Sequence, residues 1–383
     1  MSTETPTPAA PPGCPITAEF LPPNMRKHVD PAAPPPLRMM GAKAMVPLQP
    51  ADMLGALFML TFDPDAGVRE TAQKTAANLP DRFSAGLRDE GVHAPVLGWL
   101  LPLLRGKDVY VEMLVLNPTT PDEAVADIAR DCSAKIAELV SQNQLRLLRH
   151  EGVIRNLCSN PNASPALIDG VCDFAVRSGM ALHDVPQMQQ ARVRLFGPQA
   201  AAAPPAPAGP TAEDILKELE PDAPSAEGED VKEEEAPVDE GKRQNLTQRI
   251  MKMSISEKIK LATLGNKEAR SVLIRDSNKL VSTAVIRSPR ITDGEVLSCA
   301  GNKAINDDVF RIIYGNREWT KKYKIKLALL KNPKLPLTVG MKFLSTLREG
   351  DVKDLARDKN VPAGLQGLAK KMLAKKEEKK PEK

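Results

Sequence analysis

Asn117-Pro118-Thr119-Thr120-Pro121-Asp122-Glu123 ends one segment of helical periodicity and opens the next. Proline is excluded from a helix interior, so the break is sharp. Thr120 is placed to cap the new helix, Pro121 suits its first turn, and Glu123 stands three residues after Thr120, as a capping box requires. The device returns 43 residues later at Asn160-Pro161-Asn162-Ala163-Ser164-Pro165, with Ser164 as the expected cap. In the second half Ser288-Pro289 and Asn332-Pro333-Lys334-Leu335-Pro336-Leu337 repeat it, 44 residues apart. Breaks fall at 117, 143 and 160 in the first half, and at 288, 316 and 332 in the second. Their spacings are 26 and 17 against 28 and 16. Ala124–Ala129 also aligns in register with Glu295–Ala300. Duplication of one helical module is the simplest account.

Outward from these breaks the pattern holds. Met53, Leu54, Leu57, Phe58 and Leu60 follow Pro50 at helical spacing, and further short segments run on from Val68 to Leu116. Aromatic residues make up only 3% of the 383, and hydrophobic residues 42%, so the cores must be aliphatic. That palette favours helices over β-sandwiches. The expected fold is all-α: two HEAT-like or leucine-rich-repeat-variant-like α-solenoid modules joined by a disordered linker. Residues 1–45 read as a disordered Pro-rich arm, 46–196 as the first module, and 197–245 as an Ala/Pro-rich and then acidic flexible linker. Residues 246–373 read as a basic second module and 374–383 as a charged tail. Within the linker, Ile215, Leu216 and Leu219 have the spacing of one short docking helix.

The Asn117-Pro-Thr-Thr-Pro121 and Asn332-Pro-Lys-Leu-Pro336 turns resemble those between the stacked short helices of leucine-rich-repeat-variant and HEAT-like proteins. The stretches Ser141–His150 and Gly315–Ala328 resemble an uncharacterised bacterial, myxobacterial-type α-solenoid family. The resemblance covers roughly residues 45–196 and 246–373. It implies stacked helices and carries no activity or catalytic residues.

Charge is segregated along the chain. Residues 1–210 carry a net −3, residues 211–241 a net −11, and residues 242–383 a net +18. No run of about 20 apolar residues is present, so no membrane span is expected. The start lacks the basic-then-apolar pattern of a secretory signal. Cys14, Cys132, Cys158, Cys172 and Cys299 are odd in number and widely spaced, which argues against a disulfide framework and for a reducing cytoplasm; Cys132, Cys158, Cys172 and Cys299 are expected to be mainly buried thiols, unpaired and without metal.

No catalytic, cofactor or metal site is expected. His28, His93, His150 and His183 stand apart, no Cys-x-x-Cys occurs, and Cys158 and Cys172 lie on different predicted helices. There is no Gly-x-Ser-x-Gly elbow, no Gly-x-Gly-x-x-Gly and no Gly-Lys-Ser/Thr. Asp307-Asp308 suits the positive end of a helix. The residues singled out for partner contact are Arg317, Trp319, Lys321, Lys322, Tyr323, Lys324 and Lys326. On one helix, Trp319 and Tyr323 would share a side. The reading is a non-enzymatic cytoplasmic protein–protein scaffold or adaptor, with proteins as partners, acidic ones among them. The alternative is nucleic-acid or polyanion binding by the basic module, with lysines on phosphates and a base on an exposed ring. A third idea is that the acidic linker masks Lys321, Lys322, Lys324 and Lys326.

Overall fold

Apolar residues at three- and four-residue spacing become helices throughout. The computed structural model describes residues 11, 13–202, 209–219, 240–358 and 361–377, and every regular element among the described residues is helical. Two compact units divide the chain: Met1–Arg177 with Ala181–Ala202, and Ser178–Met180 with Ala203–Lys383.

The first unit begins with α1 (Pro35–Ala42), α2 (Pro50–Leu60) and α3 (Ala66–Ala77), then a 3-10 helix (Asp81–Arg88). There follow α4 (Ala94–Leu103), α5 (Asp108–Leu116), α6 (Asp122–Ala129), α7 (Ala134–Gln142), α8 (Gln144–Arg149), α9 (Glu151–Ser159) and α10 (Pro165–Arg177). α11 (Pro186–Ala202) is broken at Gly197, where φ is 82°. The helix α2 is its centre, with every residue from Met53 to Leu60 buried. A helix apolar on all sides needs cover on all sides. α1, α3, α4 and the 3-10 helix supply part of it.

The N-terminal segment supplies more, and here the expectation of a disordered arm over 1–45 is corrected for its described part. Ile16, Leu21 and Val29 are buried, and the Phe20 ring crosses Gly55 so closely that a Cβ there would stand 2.6 Å from it. Arg38 is buried and paired with Asp63, and its Nε donates to the Ala33 carbonyl at 2.9 Å. Proline excludes this segment from long helices but not from a core. Residues 1–10 and 12 lie outside the described residues.

The second unit opens with α12 (Ala212–Leu216) and α13 (Glu240–Met251). It continues through α14 (Ile255–Leu264), α15 (Lys267–Leu273), α16 (Lys279–Ile286), α17 (Asp293–Gly301), α18 (Asp307–Gly315), α19 (Arg317–Lys321) and α20 (Tyr323–Lys331). It closes with α21 (Leu337–Leu344), α22 (Glu349–Arg357) and α23 (Ala363–Glu377). The linker expectation over 197–245 therefore changes at both ends. Thr211 and Asp214 form a capping box on α12, Ile215 is buried, and the Ala212 N–H donates to Glu257 at 2.7 Å. The acidic stretch 220–239 lies outside the described residues. α23 runs past the expected module end at 373 to Glu377, and 378–383 lie outside the description.

The matched breaks give matched elements. α6, α7, α8, α9 and α10 begin at 122, 134, 144, 151 and 165, and α17 to α21 begin at 293, 307, 317, 323 and 337. α6 packs on α9 as α17 packs on α20. The turns between them share one side-chain device. Asn160 is buried; its Nδ2 donates to the carbonyls of Ala129 (2.9 Å) and Cys132 (3.1 Å), and its Oδ1 accepts the Asn162 N–H (2.8 Å). Asn332 does the same with Ala300 (3.0 Å), Asn302 (3.1 Å) and the Lys334 N–H (3.0 Å). Asn117 does it with Leu87 (3.0 Å), Asp89 (3.1 Å) and the Thr119 N–H (2.9 Å). Ser288 is a reduced version, donating to Thr263 at 3.3 Å and accepting from the Arg290 N–H at 3.4 Å.

The capping expectation splits. Ser164 accepts the Leu167 N–H at 3.3 Å, and α10 starts at Pro165. Thr120 is not a cap: its hydroxyl turns back to the Leu114 carbonyl at 2.6 Å, and Pro121 occupies the cap position in extended conformation. The carbonyls ending α5 compete for that hydroxyl and win. A capping box does stand at the matching site of the second unit, between Thr292 and Glu295.

Replacing Asn332 by Ala strips the donors from two carbonyls packed in a turn. Chemical denaturation is expected to show a loss on the order of 2–3 kcal/mol. A loss within about 0.5 kcal/mol, the range of an ordinary surface change, would show that the amide bridge carries no stability.

Candidate functional site

The segment 316–326 is built around a cap. Asn316 Oδ1 accepts the N–H groups of Glu318 (2.9 Å) and Trp319 (3.3 Å), which starts α19. Thr320 donates its hydroxyl to the Asn316 carbonyl at 2.9 Å. α19 buries no residue. It stops at Lys321 because Ile325, Leu329 and Leu330 must face the core, and they set the phase of α20 independently. Lys322, extended at φ −73° and ψ 121°, separates the two helices. Trp319 and Tyr323 thus stand on different helices, which corrects the expectation of one shared helical side.

Each singled-out residue has a definite place. Arg317 is exposed and has no ion pair among the described residues. Lys321 pairs with Glu318 at 2.6 Å, both at the surface. Lys322 pairs with Asp293 at the start of α17. Lys324 is exposed, and Lys326 donates to the Thr346 hydroxyl at 3.1 Å. Trp319 is half-buried. Tyr323 is engaged on both counts: its hydroxyl donates to Asp351 and accepts the Arg348 N–H at 3.1 Å, while the Arg348 guanidinium lies 5.1 Å from its ring centre. One face of the Tyr323 ring is thus used by a cation, whereas no ring or cation contact is seen for Trp319 among the described residues. The hydrogen bond to Asp351, with desolvation second, raises the phenol above its ordinary pKa.

Two of the described acids of the linker have their partners elsewhere. Asp214 is held in its capping box, which lowers its pKa, and Glu218 pairs with Arg249. Neither faces Lys321, Lys322, Lys324 or Lys326 through any contact among the described residues.

Sequence reasoning missed the buried charges. Arg270 is buried and forms a two-bond pair with Glu295 at 2.8 and 2.9 Å, and it donates to the Gly265 carbonyl at 2.9 Å. Arg146 is buried beside Asp122 at 3.3 Å, and Arg149 pairs with the same carboxylate. Their signal was an arginine at an apolar phase of a short helix. These groups join neighbouring helices and have structural roles.

Cys14 is half-buried, and the other four thiols divide into two kinds. Cys132 and Cys299 are buried, and burial pushes each up to about 11. Cys172 is buried, but Cys158 is half-buried, which corrects its placement in the core. Their sulfurs are 3.7 Å apart. Among the described residues no three His, Cys, Asp or Glu side chains converge as metal ligands, and no helix is long and apolar enough to cross a membrane. A groove of about 470 Å³ beside Tyr110 is lined by Asp81, Ser84, Lys107 and Met113. Its tyrosine donates to Asp81 at 2.6 Å and its lysine to the Ala77 carbonyl at 2.6 Å.

Because folding raises the Tyr323 pKa, its contact stabilises fully below the ordinary phenol value near 10. That contribution is lost as pH rises through the raised value. Tyr323→Phe is expected to lower stability at neutral pH and to reduce the alkaline fall, read from denaturation midpoints between about pH 8 and 11. An unchanged alkaline profile would assign that fall to other groups. No family model, curated protein or solved structure matches this chain.

Proposed function

We propose that the protein is a non-enzymatic cytoplasmic scaffold or adaptor. Its two helical units are read as HEAT-like or leucine-rich-repeat-variant-like α-solenoid modules, in line with the family resemblance. The recurring buried-amide turns support that reading, since they give successive helices the same neighbours. Arrays of this kind offer extended surfaces suited to proteins. The observation that carries the site is α19: a helix capped by Asn316 in which no residue is fully buried. Its packing contributes little to the core, so its outward side chains are available to a partner. Arg317, Trp319 and Lys321 of α19, with the exposed Lys324 in the first turn of α20, form the contact surface, and the cations select an acidic protein. Lys322, Tyr323 and Lys326 border it while holding α17, α22 and the α21–α22 turn.

A second reading, binding of nucleic acid or another polyanion, is favoured by the net +18 of residues 242–383. Lysine outnumbers arginine in the segment 317–326, which suits point-charge contact more than forked recognition of phosphate.

The deciding experiment compares the full chain with a variant carrying Arg317→Glu, Lys321→Glu and Lys324→Glu. Affinity for heparin and single-stranded oligonucleotide is measured from about 50 to 200 mM salt, a range over which polyanion binding through several contacts falls steeply. Crosslinked protein partners are captured after nuclease treatment at the upper end of that range. The scaffold reading expects a defined protein retained by the wild type and lost by the variant. Tight, salt-sensitive oligonucleotide binding without such a protein would give the place to the second reading.

A further inference from the structure

Cys158 lies in the last turn of α9, and Cys172 lies within α10. Between them runs the Asn160-Pro161 turn, pinned by its amide to Ala129 and Cys132. The Cys158 and Cys172 sulfurs are 3.7 Å apart, near van der Waals contact. A disulfide bond needs about 2.05 Å, so side-chain rotation must close roughly 1.7 Å. The two thiols also differ in access. Cys172 is fully enclosed, and Cys158 reaches solvent on one side.

Their acidities differ in a useful sense. The two sulfurs share one hydrogen bond that either thiol can donate, and this contact lowers the Cys158 pKa despite desolvation. The same contact raises Cys172, with burial adding to it. A half-buried sulfur 3.7 Å from an enclosed one is the arrangement of an attacking and a resolving cysteine. Cys132 and Cys299 have no such neighbour among the described residues.

We propose that Cys158 and Cys172 form a reversible disulfide by exchange with a small-molecule disulfide. The Cys158 thiolate, its proton given to solvent, attacks one sulfur of that reagent. A Cys158–reagent disulfide forms, the reagent's own S–S bond breaks, and one reagent thiolate leaves. Cys158 then no longer bears the charge that held the proton on Cys172. Cys172 releases that proton to solvent, and its sulfur attacks Cys158 Sγ, expelling the second reagent thiolate. The two protein thiols are oxidised, the reagent disulfide is reduced to two thiols, and the two released protons end on them. The product ties α9 to α10 through a closed loop of about 15 residues that contains the Asn160-Pro161 turn.

The site is independent of the scaffold reading. It is tested on the full native chain with oxidised glutathione, followed by alkylation and non-reducing peptide mapping. The expected wild-type product is a crosslinked pair of Cys158 and Cys172 peptides, with loss of two hydrogen atoms and recovery in dithiothreitol. Cys172→Ser is expected to accumulate glutathione on Cys158, because nothing resolves it. Cys158→Ser is expected to leave Cys172 unmodified while the chain stays folded. Amide exchange across residues 160–170 should slow in the oxidised wild type. A wild type that keeps both thiols, or that holds glutathione on Cys158 as persistently as Cys172→Ser, overturns the proposal. The wild-type measurement stands even if either variant fails to fold.

Discussion

A buried primary amide at an Asn-Pro turn settles three problems at once. The proline ends the helix, leaving carbonyls nearby without their usual donors. The amide nitrogen supplies two donors to carbonyls at the end of an earlier helix, and the amide oxygen takes the N–H two residues ahead. Few other small side chains have two donors and an acceptor in this geometry. Asn117, Asn160 and Asn332 all do this, reaching back 28–32 residues. Ser288, with one donor, reaches a single carbonyl. At Asp63-Pro64 the side chain accepts the Asp65 N–H at 2.8 Å but has no hydrogen to give. Arg38 meets it instead, and this tie draws the N-terminal segment into the unit.

Buried charge follows the same logic. Arg270 with Glu295, and Arg146 with Asp122, link helices that are not adjacent in sequence. Burying such ions is costly, and their mutual attraction in the interior offsets that cost when hydrogen bonds are well made. Glu295 also completes the Thr292 capping box, so one carboxylate serves the helix start and the neighbouring arginine. Removal of Asp122 would take the carboxylate from Arg146 and Arg149 together, whereas removal of Arg146 would leave Asp122 paired with Arg149. The segregation of charge along the chain is thus partly local structure: several cations that read as a free basic ridge are bound to carboxylates within the same unit.

What the amino-acid pattern made legible was periodic and local. Aliphatic spacing located the helices, and proline with asparagine located their ends. Ser164 was readable because its acceptor competes with nothing. Thr120 was not, because the carbonyl it satisfies belongs to the preceding helix. The N-terminal segment misled for a similar reason: its prolines report on backbone conformation, whereas its burial depends on α2, an apolar helix that needs cover. Trp319 and Tyr323 are four apart, but the core positions of α20 reset the helical phase at Lys322. The exposure of α19 is a property of the whole surface and had no local signature. Cys158 and Cys172 stand 14 residues apart on separate helices, and only the packing of α9 against α10 brings the sulfurs together.

The reach of each amide has a consequence for how such a chain can change over evolutionary time. An asparagine that binds carbonyls about 30 residues upstream is indifferent to what lies further away. Copying or excising one complete block of 43 or 44 residues would leave every remaining amide opposite a helix end of the right kind. Copying half a block would set an amide against the wrong element and strand two carbonyls. Growth by whole blocks is therefore nearly free of conflict, and growth by fractions is not. The close agreement of the two series of helix starts is the record such a rule would leave.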